Sequence, residues 1–252
     1  MMKQVEDKEQ LLELLRSKFL PKLQSNASLH PQNYQDDLRE GSLYYSQEGE
    51  CLLLYRKRKE HYITTYYSLD LPVFPDCELA LVVEVPFQKK ALDVSWWQEK
   101  GFDPQVSRQQ YALPDEQGVA CNRATMEQLD KVTAFLAGNF AVATGCHPLR
   151  SRLVQDITEG KVLCEMDGGR LLGLLRYGVQ DKVATILHLA VAESHRGKGV
   201  AKQLYDGFLS DTNGKLHKVF SGSPEGARFY EKQGGLKTRY QSLVLEKKGI
   251  TQ

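Results

Sequence analysis

The residues best suited to chemistry lie between Ile186 and Leu209. An apolar run, Ile186-Leu187-His188-Leu189-Ala190-Val191, leads through Glu193-Ser194-His195 into Arg196-Gly197-Lys198-Gly199-Val200-Ala201, and Leu204, Tyr205, Phe208 and Leu209 follow at helical spacing. A glycine-containing turn between a strand and a helix leaves backbone N–H groups free at the positive end of the helix dipole, where they can face an anion. Two closely spaced glycines allow the tight turn and the close approach. Arg196 and Lys198 add charge suited to phosphate. The loop lacks the spacing before a Gly-Lys-Ser or Gly-Lys-Thr ending that a Walker loop has, and it lacks the third glycine of the dinucleotide fingerprint.

The pattern Arg-x-x-Gly-x-Gly-or-Ala, here Arg196, Gly199 and Ala201, resembles the acetyl-CoA loop of the GNAT superfamily of N-acyltransferases. A second segment about thirty residues on, Ala227-Arg228-Phe229-Tyr230-Glu231-Lys232, resembles the helix carrying the Ala-x-x-Phe-Tyr-Glu-Lys motif of that family. The resemblance spans residues 119 to 247. It implies a GNAT-type mixed α/β fold, with a mostly antiparallel sheet flanked by helices and splayed open beside the strand that ends near Val191. It also implies acetyl-CoA as cosubstrate. The stretch Leu189-Ala190-Val191 would pair with the pantetheine arm like an added strand, amides from Gly197, Lys198, Gly199, Val200 and Ala201 would hold the pyrophosphate, and Tyr230 would sit near the thioester sulfur. Two departures stand out. Ser221-Gly222-Ser223 replaces the usual asparagine before the second motif, leaving Ser223 as the donor there. Gly234-Gly235-Leu236 replaces a single glycine and an aromatic, which predicts a looser turn.

The chemistry this implies is direct attack of an amine on the thioester carbonyl of bound acetyl-CoA, in a ternary complex. The protein positions both reactants and stabilises the developing oxyanion, here through strand amides near Leu189 to Val191. A free alkyl ammonium has a pKa of about 10.4, so a base or a water relay assists. His188, on the strand beside the cofactor, is the candidate base, with Glu165 and Glu193 as alternatives. Strand alternation places it on the face opposite Leu187 and Leu189. Tyr230 is the candidate donor to the leaving thiolate. His147 and Tyr177 are candidates to border the acceptor cleft. The second class of reading is a non-catalytic module that binds or senses acyl-CoA. A third, transfer from aminoacyl-tRNA by a tandem fold of related shape, is disfavoured by the intact loop and the near-neutral charge.

These residues need elements to carry them. Apolar strands are expected at Val162–Met166 and Leu171–Tyr177, as a hairpin around Asp167-Gly168-Gly169, and at Val183–Ala192. Helices are expected from Thr125 to Ala137, Ser151 to Glu159, Gly199 to Asp211 and Gly226 to Gln233, with glycines at several ends. Strands at Lys218–Ser221 and Arg239–Glu246 complete this half, and Val119–Arg123 is a short candidate before it.

The polar stretch Leu113-Pro114-Asp115-Glu116-Gln117-Gly118 marks a boundary. It divides an N-terminal α/β domain, 1–113, from the acetyl-CoA-binding domain, 119–252. In the first, residues 1–23 read as a helix with Leu11, Leu12, Leu14, Leu15 and Phe19 on one face, ended by Pro21. Strands follow at Ser42–Tyr45, Cys51–Tyr55, Tyr62–Tyr67 and Leu79–Val85. Then come a helix at Asp93–Lys100 and a strand at Ser107–Leu113. Trp96-Trp97-Gln98-Glu99-Lys100-Gly101 echoes Phe229-Tyr230-Glu231-Lys232-Gln233-Gly234 in kind. It points to a degenerate GNAT-like first half, one without a phosphate loop.

A net charge of +1 in 252 residues argues against a nucleic-acid partner. The run Arg56-Lys57-Arg58-Lys59 reads as a solvated strand end. No apolar run reaches membrane-spanning length, and no signal segment is seen at the N-terminus. The five cysteines have no metal-ligand spacing and read as reduced thiols of a cytoplasmic protein, with no metal site. The expected partner is a small-molecule or peptide amine.

Overall fold

The computed structural model describes residues 2–18, 23–88 and 92–250. The chain forms two compact units, Met1–Ser107 with Ser242–Gln252, and Arg108–Gln241. The 113–118 stretch that the sequence marks as a boundary falls inside the second unit.

In the first unit the elements are β1 (Lys3–Gln4), α1 (Lys8–Arg16), β2 (Gln24–Ser25), α2 (Gln35–Arg39), β3 (Leu43–Glu48), β4 (Cys51–Lys57), β5 (His61–Ser68), β6 (Ala80–Gln88) and α3 (Ser95–Glu99). β7 (Phe102–Leu113) begins here and ends in the second unit. The strand order is β1-β3-β4-β5-β6, with β2 also on β5. α1 is shorter than the sequence suggests, because Asp7 caps its start by accepting from the Gln10 amide at 2.8 Å. The expected positions of Phe19 and Pro21 lie outside the described residues. The basic run is absorbed locally. Arg58 donates to the buried Asp37 carboxylate at 2.6 Å, and Arg56 stacks over Tyr34.

The second unit contains α4 (Leu129–Asn139), α5 (Arg150–Thr158), β8 (Val162–Asp167), β9 (Arg170–Gln180), β10 (Val183–Val191), α6 (Val200–Asp211), β11 (Leu216–Ser221) and α7 (Pro224–Lys232). β12 (Leu236–Lys247) follows, its last residues belonging to the first unit. The order is β7-β11-β10-β9-β8. Pairing is antiparallel except between β10 and β11. α6 and α7 pack on one face around Leu204, Tyr205, Phe208 and Tyr230, and α4 and α5 pack on the other around Val132, Leu136, Leu153 and Ile157. The mixed, mostly antiparallel α/β class is as expected. Val119–Arg123 is not a strand. It contributes one isolated bridge, Arg123 to Leu163.

The two units repeat one order of elements. Each has an antiparallel hairpin and then a strand that pairs in parallel with the next, β5 with β6 and β10 with β11. Each then has a short helix ended by a left-handed glycine, Gly101 (φ 81°) or Gly234 (φ 78°), and a long final strand. They differ at one point. The β10-to-β11 connection contains α6. The β5-to-β6 connection, residues 69–79, contains two prolines, no glycine and no helix.

What the first unit does with its parted strands is informative. β5 pairs with β6 only over His61–Ile63. Beyond that point its edge is taken by the chain itself, Gln24 opposite Ser68 and Ser25 opposite Tyr67. The Asn26 carboxamide completes the pairing, donating to the Thr64 carbonyl at 3.1 Å and accepting from the Tyr66 amide at 2.9 Å. Asn26→Ala leaves both backbone groups without that partner and is expected to destabilise the first unit by about 1–3 kcal/mol. Both tryptophans of the protein, Trp96 and Trp97, lie in that unit. A denaturant titration followed by tryptophan fluorescence therefore reads it directly, and an unchanged midpoint would contradict the pairing.

Candidate functional site

β10 is the strand on which the site is built. It pairs with β11 only over Val183–Ile186. Its pairing with β9 shifts register between Ile186 and His188, so Leu187 is an extra residue and stands exposed. From there β10 follows β9 alone, His188 opposite Arg176, Leu189 opposite Leu175, Ala190 opposite Leu174 and Val191 opposite Gly173. β11 meanwhile stays with β7 through Ser221. Backbone groups of Leu187–Val191 that point away from β9 therefore have no strand partner among the described residues.

After Val191 a short 3₁₀ turn, Glu193–His195, brings the chain to Arg196. Gly197 (φ 76°) and Gly199 (φ 85°) both lie in the left-handed region, which explains why both must be glycine. A Cβ at either would meet nothing within 4 Å, so this face of the loop is open. Among the described residues the amides of Gly197, Gly199, Val200, Ala201 and Lys202 donate to no carbonyl. These five donors cluster at the start of a twelve-residue helix, a cradle of the kind suited to an anion. Arg196 and Lys198 are exposed beside it, with the Arg196 guanidinium reaching back to the Val191 carbonyl at 3.4 Å. Close packing fixes α6 in place: a Cβ at Gly173 would come within 2.6 Å of Val200.

Tyr230, on α7, faces the same core and is 4% exposed. Its ring lies 6.2 Å from that of Tyr111 and 5.2 Å from that of Phe229. Its hydroxyl makes no hydrogen bond among the described residues. Burial, with a smaller contribution from Tyr205, pushes its pKa up, so the phenol keeps its proton at any working pH. Gly234 and Gly235 close α7 in a compact stop rather than the looser turn expected. The Gly234 amide donates to the Glu231 carbonyl at 3.1 Å and the Gly235 amide to the Tyr230 carbonyl at 2.9 Å, a Schellman arrangement. A Cβ at Gly235 would lie 2.7 Å from that carbonyl oxygen, which accounts for the second glycine. Ser223 is the N-cap of α7, accepting from the Gly226 amide at 3.0 Å, and its hydroxyl proton remains for another partner.

His188 sits on the face opposite Leu189, as strand alternation requires, but its chemistry differs from expectation. It is 3% exposed. Nδ1 lies 3.3 Å from Arg176 Nη1, and Nε2 lies 2.8 Å from the Gly145 carbonyl. A guanidinium only donates, so Nδ1 accepts and Nε2–H donates. With its lone pair engaged, His188 has nothing free to take a proton, and the expectation that it serves as base fails on this geometry. Burial and the neighbouring Arg176 lower its pKa to about 4. Tyr177 is also displaced from its expected role. It lies on the α6 side, edge-on to Phe208, and donates to Asp211 at 3.0 Å. His147 folds onto its own turn, with Nε2 at 3.1 Å from the Phe140 carbonyl, and Glu165 accepts from Gln203. Glu193 is exposed on the turn before the cradle.

Asp156 and Arg176 were not among the residues singled out from the sequence. Asp156 on α5 is fully buried, 2.7 Å from Arg176 Nε and 3.0 Å from Arg152 Nε. An arginine inside an otherwise apolar strand, with an aspartate on a helix that packs against it, is the signal that was available. The cysteines are all free. Burial pushes Cys121 up to about 11 and raises Cys77 and Cys164, which keeps these thiols protonated. Among the described residues no cluster of His, Cys, Asp and Glu suits a metal, and no helix is long and apolar enough to cross a membrane. A separate concavity of about 620 Å³, bordered by Val183, Leu216, His217 and Lys218, lies at the opposite end of the β10–β11 pair from the cradle.

Residues 158–234, from the end of α5 through α7, match the Acetyltransferase (GNAT) domain. No curated protein sequence matches the chain. Solved structures with the same fold include a GNAT-family acetyltransferase from Colwellia psychrerythraea, at 14% identity and TM-score 0.52, covering 98% of this chain and 99% of that one. Another is a GCN5-related N-acetyltransferase from Kribbella flavida, at 12% identity and TM-score 0.54, covering 86% and 93%. A third is a fungal multi-domain β-N-acetylglucosaminidase with a GCN5-related glucosamine N-acetyltransferase region, at 9% identity and TM-score 0.59, covering 97% of this chain and 38% of that one.

The neutral His188 yields a pH prediction. Its folded pKa, about 4, lies below the unfolded value of about 6.5, so the folded state binds fewer protons between the two. Its contribution to stability is complete above pH 6.5 and is lost as the pH falls toward 4, at up to about 1.4 kcal/mol per pH unit. Urea titrations from pH 7 to 4 should show a shallower loss in His188→Gln than in the wild type. Parallel curves would contradict the assignment.

Proposed function

We propose that this chain, which carries a GNAT acetyltransferase domain, transfers the acetyl group of acetyl-CoA to an amine at one site, in its second unit. The observation that carries the reading is the parting of β10 from β11 beside an α6 whose first amides are free. An extended amide-bearing arm fits the open strand edge, and a pyrophosphate fits the cradle of Gly197, Gly199, Val200 and Ala201, flanked by Arg196 and Lys198. Acetyl-CoA supplies an activated thioester and a thiolate leaving group. The chain's own residues do the rest. Leu189-Ala190-Val191 orient the arm and offer amides toward the oxygen on which charge develops. Tyr230 presents a protonated phenol, which stabilises a departing thiolate by hydrogen bonding. Ser223 is placed to donate at the start of α7. With both His188 nitrogens engaged, deprotonation of the amine falls to water. The free thiols fit a reducing, cytoplasmic setting.

The first unit supports a single site. Its strand edge is filled by residues 24–26, and its β5-to-β6 connection has no helix to form a cradle. Titration calorimetry with acetyl-CoA should give one site per chain. Gly199→Asp should abolish that binding by placing a carboxylate in the cradle, whereas Gly199→Asn controls for the left-handed backbone. Equal affinity in Gly199→Asp and wild type, or a stoichiometry of two, would remove the reading. Turnover is then sought with amino sugars, glucosamine among them, polyamines and peptides bearing α- or ε-amines. Binding without turnover of any of these would leave an acyl-CoA-binding module.

Tyr230→Phe separates the donor from the packing. The hydroxyl has no partner, so the variant should be as stable as wild type and should bind acetyl-CoA equally well. Its kcat should fall by roughly 10²-fold, the scale of a general acid. An unchanged kcat, with chemistry shown to be rate-limiting, would return Tyr230 to a packing role.

A further inference from the structure

His188 is on the stretch of β10 that has parted from β11, beside the proposed acyl site, yet its ring is committed to other residues on both sides. It is the last member of a buried chain. Asp156 accepts from Arg176 Nε at 2.7 Å, Arg176 Nη1 lies 3.3 Å from His188 Nδ1, and His188 Nε2 lies 2.8 Å from the Gly145 carbonyl. Since the carboxylate only accepts and the guanidinium only donates, every hydrogen bond has one direction, and the chain ends as a donor aimed at Gly145.

Gly145 lies in the turn between α4 and α5, and that turn is built to be held. Its amide donates to the Ala141 carbonyl at 2.7 Å. Cys146 follows with a left-handed φ of 50°. A Cβ at Gly145 would lie 2.5 Å from the Ala141 oxygen. Phe140 packs edge-on against the His188 ring, with centroids 4.8 Å apart. Arg108 of β7 donates to the Thr144 carbonyl. The turn is therefore tied to β10 and to β7, the neighbours of β11 on either side, with β10 the strand that parts from it.

We propose that Asp156, Arg176 and His188 are positioning residues that hold the 140–147 turn as a wall of the amine-binding side of the cleft. The proposal rests on the acetyltransferase reading only for the identity of the second substrate as an amine. A buried ion pair is costly to assemble and contributes little net stability against an apolar replacement, whereas it fixes one arrangement. The apolar cluster of Leu129, Val132, Leu136, Leu153 and Ile157 already joins α4 to α5, so the chain's distinct product is the location of the turn.

The test compares His188→Gln with His188→Leu in the full chain. Glutamine offers an oxygen to Arg176 and an N–H to Gly145, whereas leucine offers neither. Hydrogen exchange of the 140–147 amides should be about tenfold faster in His188→Leu and near wild type in His188→Gln, with the 197–202 amides unchanged in both. With the amine that turns over fastest in the panel above, His188→Leu should raise the amine KM about tenfold, and His188→Gln should restore it, while the acetyl-CoA Kd stays constant. Arg176→Lys, which loses the two-pronged donor, should repeat the KM effect and serves if His188→Leu does not fold. Loss of kcat in both His188 variants with unchanged amine KM would make His188 a proton carrier and overturn the proposal. So would a His188→Leu protein with wild-type exchange in the turn. If no amine is acetylated, the acetyltransferase reading fails, and the exchange comparison still decides whether the chain holds the turn.

Discussion

A backbone amide or carbonyl removed from its partner must find another, and this protein meets that requirement in two opposite ways at equivalent places. In each unit a strand pairs in parallel with its successor for three or four residues and then parts from it. Behind the parting point in the first unit, Gln24, Ser25 and Asn26 close the edge of β5. In the second unit, among the described residues, the edge of β10 beyond Ile186 is left without a strand and the amides that begin α6 are left without carbonyls. Unsatisfied backbone groups of this kind are tolerated where water or a ligand takes over. Both open sets lie along one path, from the strand edge through the Arg196 turn to the helix, which is the arrangement that the proposed extended ligand with an anionic end requires.

Keeping such an edge open demands rigidity around it. The register shift at Leu187 turns β10 away from β11 without breaking its ladder to β9. Gly173 lets α6 approach the sheet so closely that Val200, the first residue of the helix, is buried while Gly199 is exposed. On the other face Asp156, Arg176 and His188 lock the same strands to α5 and to the turn before it. The free groups are therefore presented by a frame held from both sides, and little ordering remains to be done when a ligand binds.

Much of this was legible in the sequence, for physical reasons that differ by element. The Gly197 and Gly199 spacing needs no tertiary information, because a left-handed turn entering a helix selects glycine locally. The apolar strands around it were equally clear from their β-branched and aliphatic content. The echo between Trp96–Gly101 and Phe229–Gly234 was also local, since each is a helix stop that feeds a long strand. What the sequence could not show were pairings between distant residues. Nothing in Gln24-Ser25-Asn26 announces a partner forty residues away, and nothing in His188 announces that Arg176 has taken its lone pair. The reading of His188 as a base followed from its place on the strand, and the correction follows from its neighbours.

The same distinction explains why Tyr230 and His188, both buried in the second unit, have different standing. Each was a candidate by position. His188 has all its polar capacity used, in a chain of fixed direction, and its lowered pKa keeps it neutral within that chain. Tyr230 has its polar capacity unused, in a core where a phenylalanine would pack as well. Its hydroxyl is not one of the sealed, unpartnered polar atoms, among which the Tyr205 hydroxyl is found, so it can be reached from outside the chain. The side chain whose needs the fold has met belongs to the frame. The side chain whose polar group is both free and reachable is the one a ligand can answer.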